Sequence, residues 1–401
     1  MLTRFWRTPL TWLSAAGAGL LTLTACETRR PSAAPGSADA DYACLAPRRV
    51  PGTPPRTFLD RPPATAFRLV CYNVKWNSIF PEVDARRAAR FARVVQALNP
   101  DILALQEIGM HPQDRGQPGS RKWKADDVIK LMNFALPLTD GAWQAYQGKD
   151  SVIVSRCPLR MTAAKLDPPG ERELALALVD LPDDRCAADV YVLNNHFKCC
   201  DAEKNDPLRQ RQADALVSWL RDARTPGGEI DLPTGTGLLI VGDLNIVGSF
   251  APVQTLLDGD IHDETQYGPD APPDWDNTPL ADARPRHNLT GDGDWTWRDD
   301  TSQYKPGRLD YIIYSDSVLT ASQTFALDTT TMSEAELAAA GLERLDVCHD
   351  QDGQVFDHLP LVADFVFGAA PSSAPATQES EREAQASAHV RPSGARRRFA
   401  F

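Results

Sequence analysis

Positive charge is scarce in this 401-residue chain, which carries 42 lysines and arginines against 54 aspartates and glutamates, for a net charge of −12. An excess of negative charge repels polyanions at long range, which argues against tight, non-specific binding of nucleic acid. It does not exclude chemistry on nucleic acid, because bound divalent cations reverse the sign of the charge locally. No internal repeat of fixed short period is evident, so the sequence does not indicate a repeat array.

Zinc-type cysteine spacing is also missing. The eight cysteines are Cys26, Cys44, Cys71, Cys157, Cys186, Cys199, Cys200 and Cys348. The adjacent pair 199–200 alone would be a poor chelator, so metal ligation by cysteine is not indicated. Outside the cytoplasm the seven cysteines after Cys26 would form disulfides by default, with one thiol left over. The sequence does not specify their pairing.

A long apolar run occurs at the N-terminus and resembles a targeting segment. Arg4 and Arg7 precede the apolar stretch 10–23, and the sequence LTAC at 23–26 resembles the processing box of bacterial lipoproteins. In such proteins the apolar stretch is removed and does not remain as a membrane span. We therefore expect residues 1–26 to be a lipoprotein signal peptide, with an ordinary cleaved signal or an N-terminal anchor as the alternatives.

A lipidated Cys26 would make the membrane a partner of this protein. It would place the chain in the bacterial cell envelope, on the periplasmic face of the outer membrane or on the cell surface. Removal of residues 1–26 deletes two arginines and no acid, so the net charge would change from −12 to −14. We expect the mature protein to be a monomer.

Two segments flank a long central block. Residues 27–66 are rich in Pro, Ala, Ser and Arg without periodicity, which predicts a tether from the membrane. Residues 369–401 are small and polar, which predicts a disordered tail. Its triplet 396–398 of arginines could contact anionic lipid, although a solvated chain end is the simpler interpretation. Residues 67–368 are predicted to form one catalytic domain.

Short apolar runs that suit buried strands recur through this domain. They are 67–73, 102–107, 151–155, 174–180, 189–196, 237–243, 308–314 and 359–366. Amphipathic helices are predicted at 84–98, 125–134 and 208–222. Because three of the strands follow one another without helices, the pattern favours two packed sheets with helices on their outer faces. The Asp-, Gly- and Pro-rich stretch 258–306, which includes Trp275, Trp295 and Trp297, suggests a long functional loop.

Polar residues that bind metals or transfer protons stand at the ends of these strands. They are Asn73, Glu107, His196, Asp243, Asn245, Asp310, Asp357 and His358. Hydrolysis of a phosphate ester needs a hard cation, a base for water, and donors for the phosphoryl oxygens. The collection contains groups for each of these tasks, so it predicts a hydrolase of phosphate esters. Each residue alone has a plain structural alternative, such as a turn or an exposed strand end.

Individual roles follow from chemistry. Mg²⁺ prefers oxygen ligands and keeps several waters, so Glu107 suits a ligand, and Asn73 can offer an oxygen or an amide donor. Strand alternation would direct Asp243 and Asn245 to the same side, where an acid can orient water and an amide can hold a phosphoryl oxygen. His196 could donate to a phosphoryl oxygen or to the leaving group.

A general base is predicted at His358. A histidine base needs an acid on its other ring nitrogen to fix the tautomer and favour the charged form. Asp310 comes from a distant strand and is the natural candidate for that acid. Water, His358 and Asp310 would then form a relay.

Taken in this order, the segments resemble the endonuclease/exonuclease/phosphatase superfamily, which includes deoxyribonuclease I, exonuclease III, neutral sphingomyelinases and inositol polyphosphate 5-phosphatases. The resemblance covers about 67–368. It implies a four-layer α/β sandwich of two packed, mainly antiparallel sheets flanked by helices, with an active site at one edge and dependence on Mg²⁺ or Mn²⁺.

Roles for named residues also follow from the resemblance. It implies Glu107 as the main metal ligand, with Asn73 beside it and Asp357 as a further acid on the metal side. His358 would be the base and Asp310 its orienting acid. Catalytic and phosphate-binding roles are implied for Asp243, Asn245 and His196, and a phosphate-side role for Arg172. The segment DSVIVSR (150–156) resembles the family's strand that ends in Ser-Arg.

Two residues depart from the pattern of the family. Lys75 stands where the abasic-site endonuclease branch has an acid, which argues against a repair enzyme of that type. Phe356 stands where a serine usually precedes the acid, so a hydroxyl is lost but no core catalytic group.

Several substrates remain open at this point. The first hypothesis is a phosphodiesterase or nuclease in the cell envelope, and a sphingomyelinase-like or other lipid or inositol phosphoesterase is the alternative. A phosphomonoesterase on a soluble phosphate is a third possibility. An inactive binding module would be expected to have lost at least one core residue, and none is lost.

Overall fold

The computed structural model describes residues 42, 45, 57–117, 119–163, 174–200, 202–300, 304–347 and 356–368. The predicted signal peptide, most of the predicted tether, Arg172 and the predicted tail lie outside these described residues. Within the described part of the chain, no helix is both long enough and apolar enough to span a membrane.

The described residues form thirteen strands and six α-helices. The strands are β1 (Phe67–Asn73), β2 (Ile102–Gln106), β3 (Gln144–Gln147), β4 (Ser151–Ser155), β5 (Leu159–Ala163), β6 (Ala175–Val179), β7 (Val190–His196), β8 (Gly237–Asp243), β9 (Ala281–Asp282), β10 (Arg286–His287), β11 (Asp310–Tyr314), β12 (Leu319–Ala326) and β13 (Leu361–Phe367). The helices are α1 (Pro81–Leu98), α2 (Ala125–Ala135), α3 (Ala202–Ala223), α4 (Ala251–Asp258), α5 (Glu264–Tyr267) and α6 (Glu334–Ala340).

The strands form two sheets that pack on each other. One has the order β10-β12-β13-β1-β2-β4-β3 and the other β5-β6-β7-β8-β11-β9. The pairs β1–β2, β10–β12 and β7–β8 are parallel, and the remaining pairs are antiparallel. Strands β1 and β2 face β7 and β8 across the interface between the sheets. Helices α1 and α2 pack on the first sheet and α3 and α4 on the second. The predicted four-layer α/β sandwich is confirmed.

Helix α1 shows how the local sequence produces these layers. Its buried residues, among them Phe91, Val95 and Leu98, recur at the helical spacing and form one face. Pro81 opens the helix at a position where a missing N–H costs nothing. Asp84 has a non-helical φ of −152°, and its carboxylate accepts the backbone N–H of the residues at 86 and 87. The predicted start at residue 84 therefore coincides with an internal cap, three residues after the true start.

Parallel pairing brings the polar strand ends together. In the register of the sheets Asn73 pairs with Gln106, which precedes Glu107, and His196 pairs with Asp243. Strand β11 runs antiparallel to β8, so its first residue, Asp310, also lies opposite Asp243. Because parallel strands end at the same edge, both sheets deliver their polar groups to one place.

The folded unit extends before residue 67. Tyr42, Leu45 and Leu59, which lie in the segment predicted as a tether, are buried in the hydrophobic core. The Tyr42 hydroxyl donates to the Glu82 carboxylate at 2.9 Å. At least this part of the segment therefore packs on the domain.

The stretch 258–306 is more ordered than its composition suggests. It contains α5, β9 and β10, and it packs through buried side chains such as Tyr267 and Leu280. The Trp275 indole N–H donates to the Thr236 carbonyl at 2.6 Å, so this tryptophan serves packing. Trp297 instead forms a backbone bridge to His358 and lies beside the polar strand ends.

Candidate active site

Asp243 is the centre of the polar cluster at the sheet edge. It ends β8 and is only 2% exposed. Its Oδ2 atom accepts the Asn73 amide N–H at 3.0 Å. The same oxygen lies 3.7 Å from Nε2 of His196 and 3.7 Å from Nε2 of His358. Two imidazoles, one on either side, therefore direct the same ring nitrogen towards one carboxylate oxygen.

A chain of hydrogen bonds that begins at Nδ1 orients the imidazole of His358. Its Nδ1 lies 2.8 Å from Oδ2 of Asp310. The Thr296 hydroxyl donates to that same oxygen at 2.6 Å and accepts the backbone N–H groups of Leu309 and Asp310, each at 2.9 Å. This arrangement fixes the carboxylate and leaves Nε2 of the imidazole to face the cluster. The predicted pairing of His358 with Asp310 is present in the structure.

His196 has an equivalent support that the sequence did not reveal. Its Nδ1 lies 3.1 Å from Oδ2 of Asp150, which directly precedes β4. Nε2 is left to face Asp243 and lies 3.8 Å from Oε1 of Glu107. The site thus contains two aspartate–histidine pairs of the same form. In each pair one residue lies at the end of a strand of the second sheet, and the other lies in a segment that precedes a strand of the first sheet.

Glu107 reaches the cluster because the backbone leaves β2 in an unusual conformation. Its φ is +66°, in the left-handed region that non-glycine residues rarely adopt. Its carboxylate accepts the Asn73 amide N–H at 3.2 Å and the Trp76 backbone N–H at 2.9 Å. Lys75, Trp76 and Asn77 also have positive φ values, so the loop after β1 is shaped around this carboxylate.

Asn73 acts in the structure as a donor between two acids. Its Nδ2 reaches both Glu107 and Asp243. Its Oδ1 accepts the Lys75 backbone N–H at 3.1 Å. The amide therefore holds two carboxylates side by side, and its oxygen already has a donor.

Asn245 occupies a turn instead of a strand position. Its φ is +51°, and its backbone N–H donates to Oδ1 of Asp243 at 2.9 Å. The side-chain Nδ2 donates to the Phe197 carbonyl at 3.1 Å. Strand alternation predicted Asp243 and Asn245 on the same side of a continuing strand, but β8 ends at Asp243 and this turn brings the asparagine to the site.

Asp357 lies at the outer side of the cluster with a basic neighbour. Its Oδ2 is 3.5 Å from Nζ of Lys75, and both side chains are partly exposed. The departure at position 75 therefore puts a cation next to this acid. Phe356, the other departure, is fully buried and its ring packs 5.2 Å from that of Tyr72, so it fills the core beneath the site.

Burial and like charges shape the electrostatics of the cluster. Burial raises the pKa of Glu107, and the nearby Asp357 carboxylate adds to this, while His196 acts against it. Burial likewise raises the pKa of Asp310, against the effect of His358. Burial opposes the charged form of His358, but Asp310 and Asp243 outweigh it and raise the pKa of His358 to about 10.

These groups fit a divalent cation. The ligand atoms of Asp243, Asp310 and His358 lie within 4.8 Å of one another, but Asp310 and His358 are already hydrogen-bonded to each other. Glu107 and Asp357 offer carboxylate oxygens, the donors that Mg²⁺ and Mn²⁺ prefer. The raised pKa of Glu107 reflects a buried negative charge that a cation would offset.

All but one of the predicted site residues meet at this edge, and Arg172 lies outside the described residues. Asp150 and Thr296 were not predicted from the sequence. Asp150 stands at the start of DSVIVSR, and its position before a buried strand was a usable signal. Thr296 lies in an irregular segment, where no periodicity marked it.

A family model described as the Endonuclease/Exonuclease/phosphatase family matches residues 70–328. That range ends before Asp357 and His358, which the fold adds to the site. No curated protein is significantly similar to the chain.

Several solved structures are similar to the chain. TDP2 of D. rerio in complex with a single-strand DNA product is 15% identical, with 75% of this chain and 98% of that chain covered and a TM-score of 0.45. Truncated TDP2 of Caenorhabditis elegans is 16% identical, with coverages of 75% and 98% and a TM-score of 0.45. An endonuclease/exonuclease/phosphatase family protein from Leptotrichia buccalis is 13% identical, with coverages of 75% and 100% and a TM-score of 0.46.

The family match covers more than half of the chain and spans both sheets. It includes Asn73, Glu107, His196, Asp243 and Asp310, which the fold gathers into one cluster. The chain therefore belongs to the endonuclease/exonuclease/phosphatase family and is a metal-dependent hydrolase of phosphoric esters.

Proposed function

We propose that this protein is a phosphodiesterase of the nuclease type that uses Mg²⁺ or Mn²⁺ and is anchored in the cell envelope through a lipidated Cys26. The observation that carries the catalytic part is the pair of imidazoles that face one oxygen of Asp243 at 3.7 Å each. A phosphodiester needs one group to take a proton from water and another to stabilise the leaving side. Two separately oriented histidines supply both.

The proton of the attacking water passes to Nε2 of His358. Asp310 accepts the Nδ1–H of that ring, fixes its tautomer and stabilises the imidazolium that forms. Thr296 keeps the Asp310 carboxylate in place. Asp243 lies within reach of the same Nε2 and is positioned to orient the water.

His196 acts on the opposite side of the reacting group. Asp150 holds its Nδ1, so Nε2 can donate to a phosphoryl oxygen or to the leaving oxygen. The Asn245 side chain donates to the carbonyl of Phe197, the residue after His196. Asn245 is thereby positioned to hold a further phosphoryl oxygen.

Glu107 and Asp357 would hold the cation, next to the carboxylate of Asp243. When bound, a divalent cation offsets the charge of the acids and of the phosphate, and it favours the nucleophilic form of water. The raised pKa of His358 supports a role for the cation. Without added positive charge the imidazole is protonated at neutral pH, and a protonated ring cannot act as a base.

The first experiment tests metal dependence and the base. EDTA should abolish hydrolysis of bis-p-nitrophenyl phosphate, and Mg²⁺ or Mn²⁺ should restore it. His358→Gln should lower kcat by about 10²-fold or more, the scale of a lost general base. His262→Gln, which changes an exposed histidine, is the matched control and should leave kcat unchanged. Turnover without metal, or normal activity of His358→Gln, would contradict the mechanism.

The second experiment tests the substrate and the anchor. Purified residues 27–401 are assayed on plasmid DNA, RNA, sphingomyelin, phosphatidylcholine and inositol phosphates, and we expect cleavage of DNA or RNA. Cleavage of lipids alone, or of monoesters alone, would replace the nuclease proposal. In cells, labelled fatty acid should be incorporated into the full chain but not into Cys26→Ala, and a soluble, unlabelled full chain would contradict the anchor.

A further inference from the structure

Two adjacent thiols, Cys199 and Cys200, lie in the turn that follows β7. Their Sγ atoms are 2.8 Å apart. Cys200 is exposed to solvent and Cys199 is partly exposed. A disulfide bond has an S–S length of about 2.05 Å, so the two sulfurs lie close together but are not bonded.

The backbone of this turn accepts hydrogen bonds from side chains of helix α3. Cys200 has a φ of +64°, a conformation that non-glycine residues rarely adopt without support. Asn205 donates from Nδ2 to the carbonyls of Cys199 and Cys200, at 2.9 and 3.1 Å. Arg209, whose side chain is fully buried, donates to the carbonyls of Lys198 and Cys200, at 2.8 and 3.2 Å. Side chains of helix α3 thus donate hydrogen bonds to three carbonyls of this turn, while both sulfurs remain at least partly accessible.

The turn is connected directly to the polar cluster. It begins immediately after His196, and the next residue, Phe197, donates its N–H to the Asp243 carbonyl at 2.8 Å. The Phe197 carbonyl accepts the Asn245 side-chain amide. Cys199 therefore lies only two residues after Phe197, whose carbonyl contacts Asn245.

We propose that Cys199 and Cys200 form a redox-active dithiol that closes to a vicinal disulfide and fixes the turn beside the active site. The oxidant is a low-molecular-weight disulfide. Cys200, the more exposed thiol, loses its proton to solvent and attacks one sulfur of the oxidant, which releases one thiolate. The Cys199 sulfur then displaces the second thiolate. The two thiols of the protein are oxidised, the oxidant is reduced to two thiols, and the protons are balanced through solvent.

The position of the pair makes this bond reversible. Consecutive Cα atoms lie about 3.8 Å apart, below the span of about 4.4–6.8 Å that ordinary disulfides bridge. Strained or exposed disulfides have the more oxidising potentials and are the labile ones. The proposal does not depend on the substrate or on the catalytic roles given above.

Mass spectrometry of the full chain tests the bond. The protein is equilibrated with oxidised and reduced glutathione, denatured in an alkylating reagent and digested with trypsin. Cleavage after Lys198 and Lys204 releases peptide 199–204, which contains both cysteines and no other. With rising oxidised glutathione we expect this peptide to lose two hydrogens and to escape alkylation. Peptide 69–75, which contains the buried Cys71, should stay alkylated throughout.

Two outcomes would overturn the proposal. One is full alkylation of peptide 199–204 at every glutathione ratio. The other is its recovery linked to another cysteine peptide or to glutathione alone. Cys199→Ser and Cys200→Ser should each abolish the loss of two hydrogens.

Hydrogen exchange supplies an independent reading of the turn. Amides of residues 197–200 should exchange more slowly in the oxidised wild type than in the reduced wild type. The Cys200→Ser protein should behave as the reduced form does under both conditions. Equal exchange in the two redox states would contradict the inferred fixation of the turn.

Discussion

Each imidazole of the active site owes its orientation to a carboxylate on the ring nitrogen that faces away from the centre. Asp310 serves His358 and Asp150 serves His196, at 2.8 and 3.1 Å. Such a partner selects the tautomer and keeps the other nitrogen available. The chemistry of the site therefore depends on residues that need not touch the substrate.

His358 should be charged at neutral pH in the metal-free protein. Its pKa of about 10 in the metal-free protein lies above its ordinary value of 6.5. The ion pair with Asp310 therefore stabilises the fold fully below about pH 6.5, and this stabilisation is lost as the pH rises through about 10. NMR titration of the metal-free protein should find the ring still protonated at pH 8.

Asp310→Asn removes one of the carboxylates and should lower the pKa of His358. Asp140→Asn, at an exposed position, is the control and should leave the titration unchanged. A neutral ring at pH 8 in the metal-free wild type would contradict the electrostatic argument.

The hydroxyl of Thr296 should be needed for full activity. Thr296→Val keeps the shape but removes the hydroxyl that donates to Asp310 and accepts two backbone N–H groups. We expect kcat on bis-p-nitrophenyl phosphate to fall by about 10–100-fold, as is typical for supporting residues of a catalytic site. Thr296→Ser keeps the hydroxyl and should retain most of the activity. Equal activities of the two variants would show that the hydroxyl has no positioning role.

Strand pairs are stabilised by polar contacts away from the site. Arg68 on β1 and Asp364 on β13 form a fully buried ion pair with bonds of 2.7 and 2.6 Å. Arg68 also donates to the carbonyls of Leu59 and Leu98. The pair connects the centre of the first sheet to α1 and to the segment before β1.

Removing one partner of this pair should be costly. Asp364→Leu leaves a buried arginine without its carboxylate, and we expect the free energy of unfolding to fall by about 3–5 kcal/mol. The double variant Arg68→Met/Asp364→Leu should recover much of that loss. Glu334→Gln breaks an ion pair whose acid is 83% exposed and should change stability by less than about 1 kcal/mol. Urea denaturation measures all four proteins, and a loss in the double variant as large as in the single one would contradict the argument.

Asp316, in the connection between β11 and β12, forms an acid pair with Asp274, in the segment between α5 and β9, and this pair has a pH effect. Burial and the hydrogen-bonded neighbour Asp274 raise the pKa of Asp316 from 3.8 to about 6. The folded state therefore binds more protons than the unfolded state between these values, and stability falls as the pH rises through this window.

Asp316→Asn should remove that loss. We expect it to stabilise the protein by about 1 kcal/mol at pH 7.5, a value reduced from the full linkage energy because the group is partly exposed. At pH 4 the gain should nearly vanish. Thermal unfolding at both pH values measures this, with Asp140→Asn as control, and an equal gain at both would show that titration is not the cause.

The whole molecule has a charge that opposes a polyanionic substrate. With a net charge of −12, long-range repulsion should slow the approach of DNA, and salt should screen it. We expect KM for plasmid DNA to stay level or fall between about 50 and 150 mM NaCl, whereas basic nucleic-acid-binding proteins lose affinity steeply over such a range. KM for bis-p-nitrophenyl phosphate, a small substrate, is the control. A tenfold rise of KM for DNA alone would indicate a basic binding surface that outweighs the net charge.

Local sequence predicted eight buried strands of this fold and the helices α1 to α3, but it did not predict β3, β5, β9, β10 and β12 or the helices α4 to α6. The apolar runs predicted β1, β4 and β8 with their observed bounds, because a strand buried on both faces is nearly continuously apolar. Polar residues at the ends of such runs were equally visible, and so was the pairing of His358 with Asp310, since a histidine base requires an acid.

The support and the orientation of these groups depend instead on how the sheets and loops pack. Asp150 and His196 are 46 residues apart, and no local pattern links them before the sheets pack. Glu107 and Asn245 both have a left-handed backbone, and at Asn245 this turn replaces the strand alternation that the sequence suggested. Periodicity reports which face of an element is buried, whereas a hydrogen-bond partner depends on which strand ends the packed sheets bring to one edge.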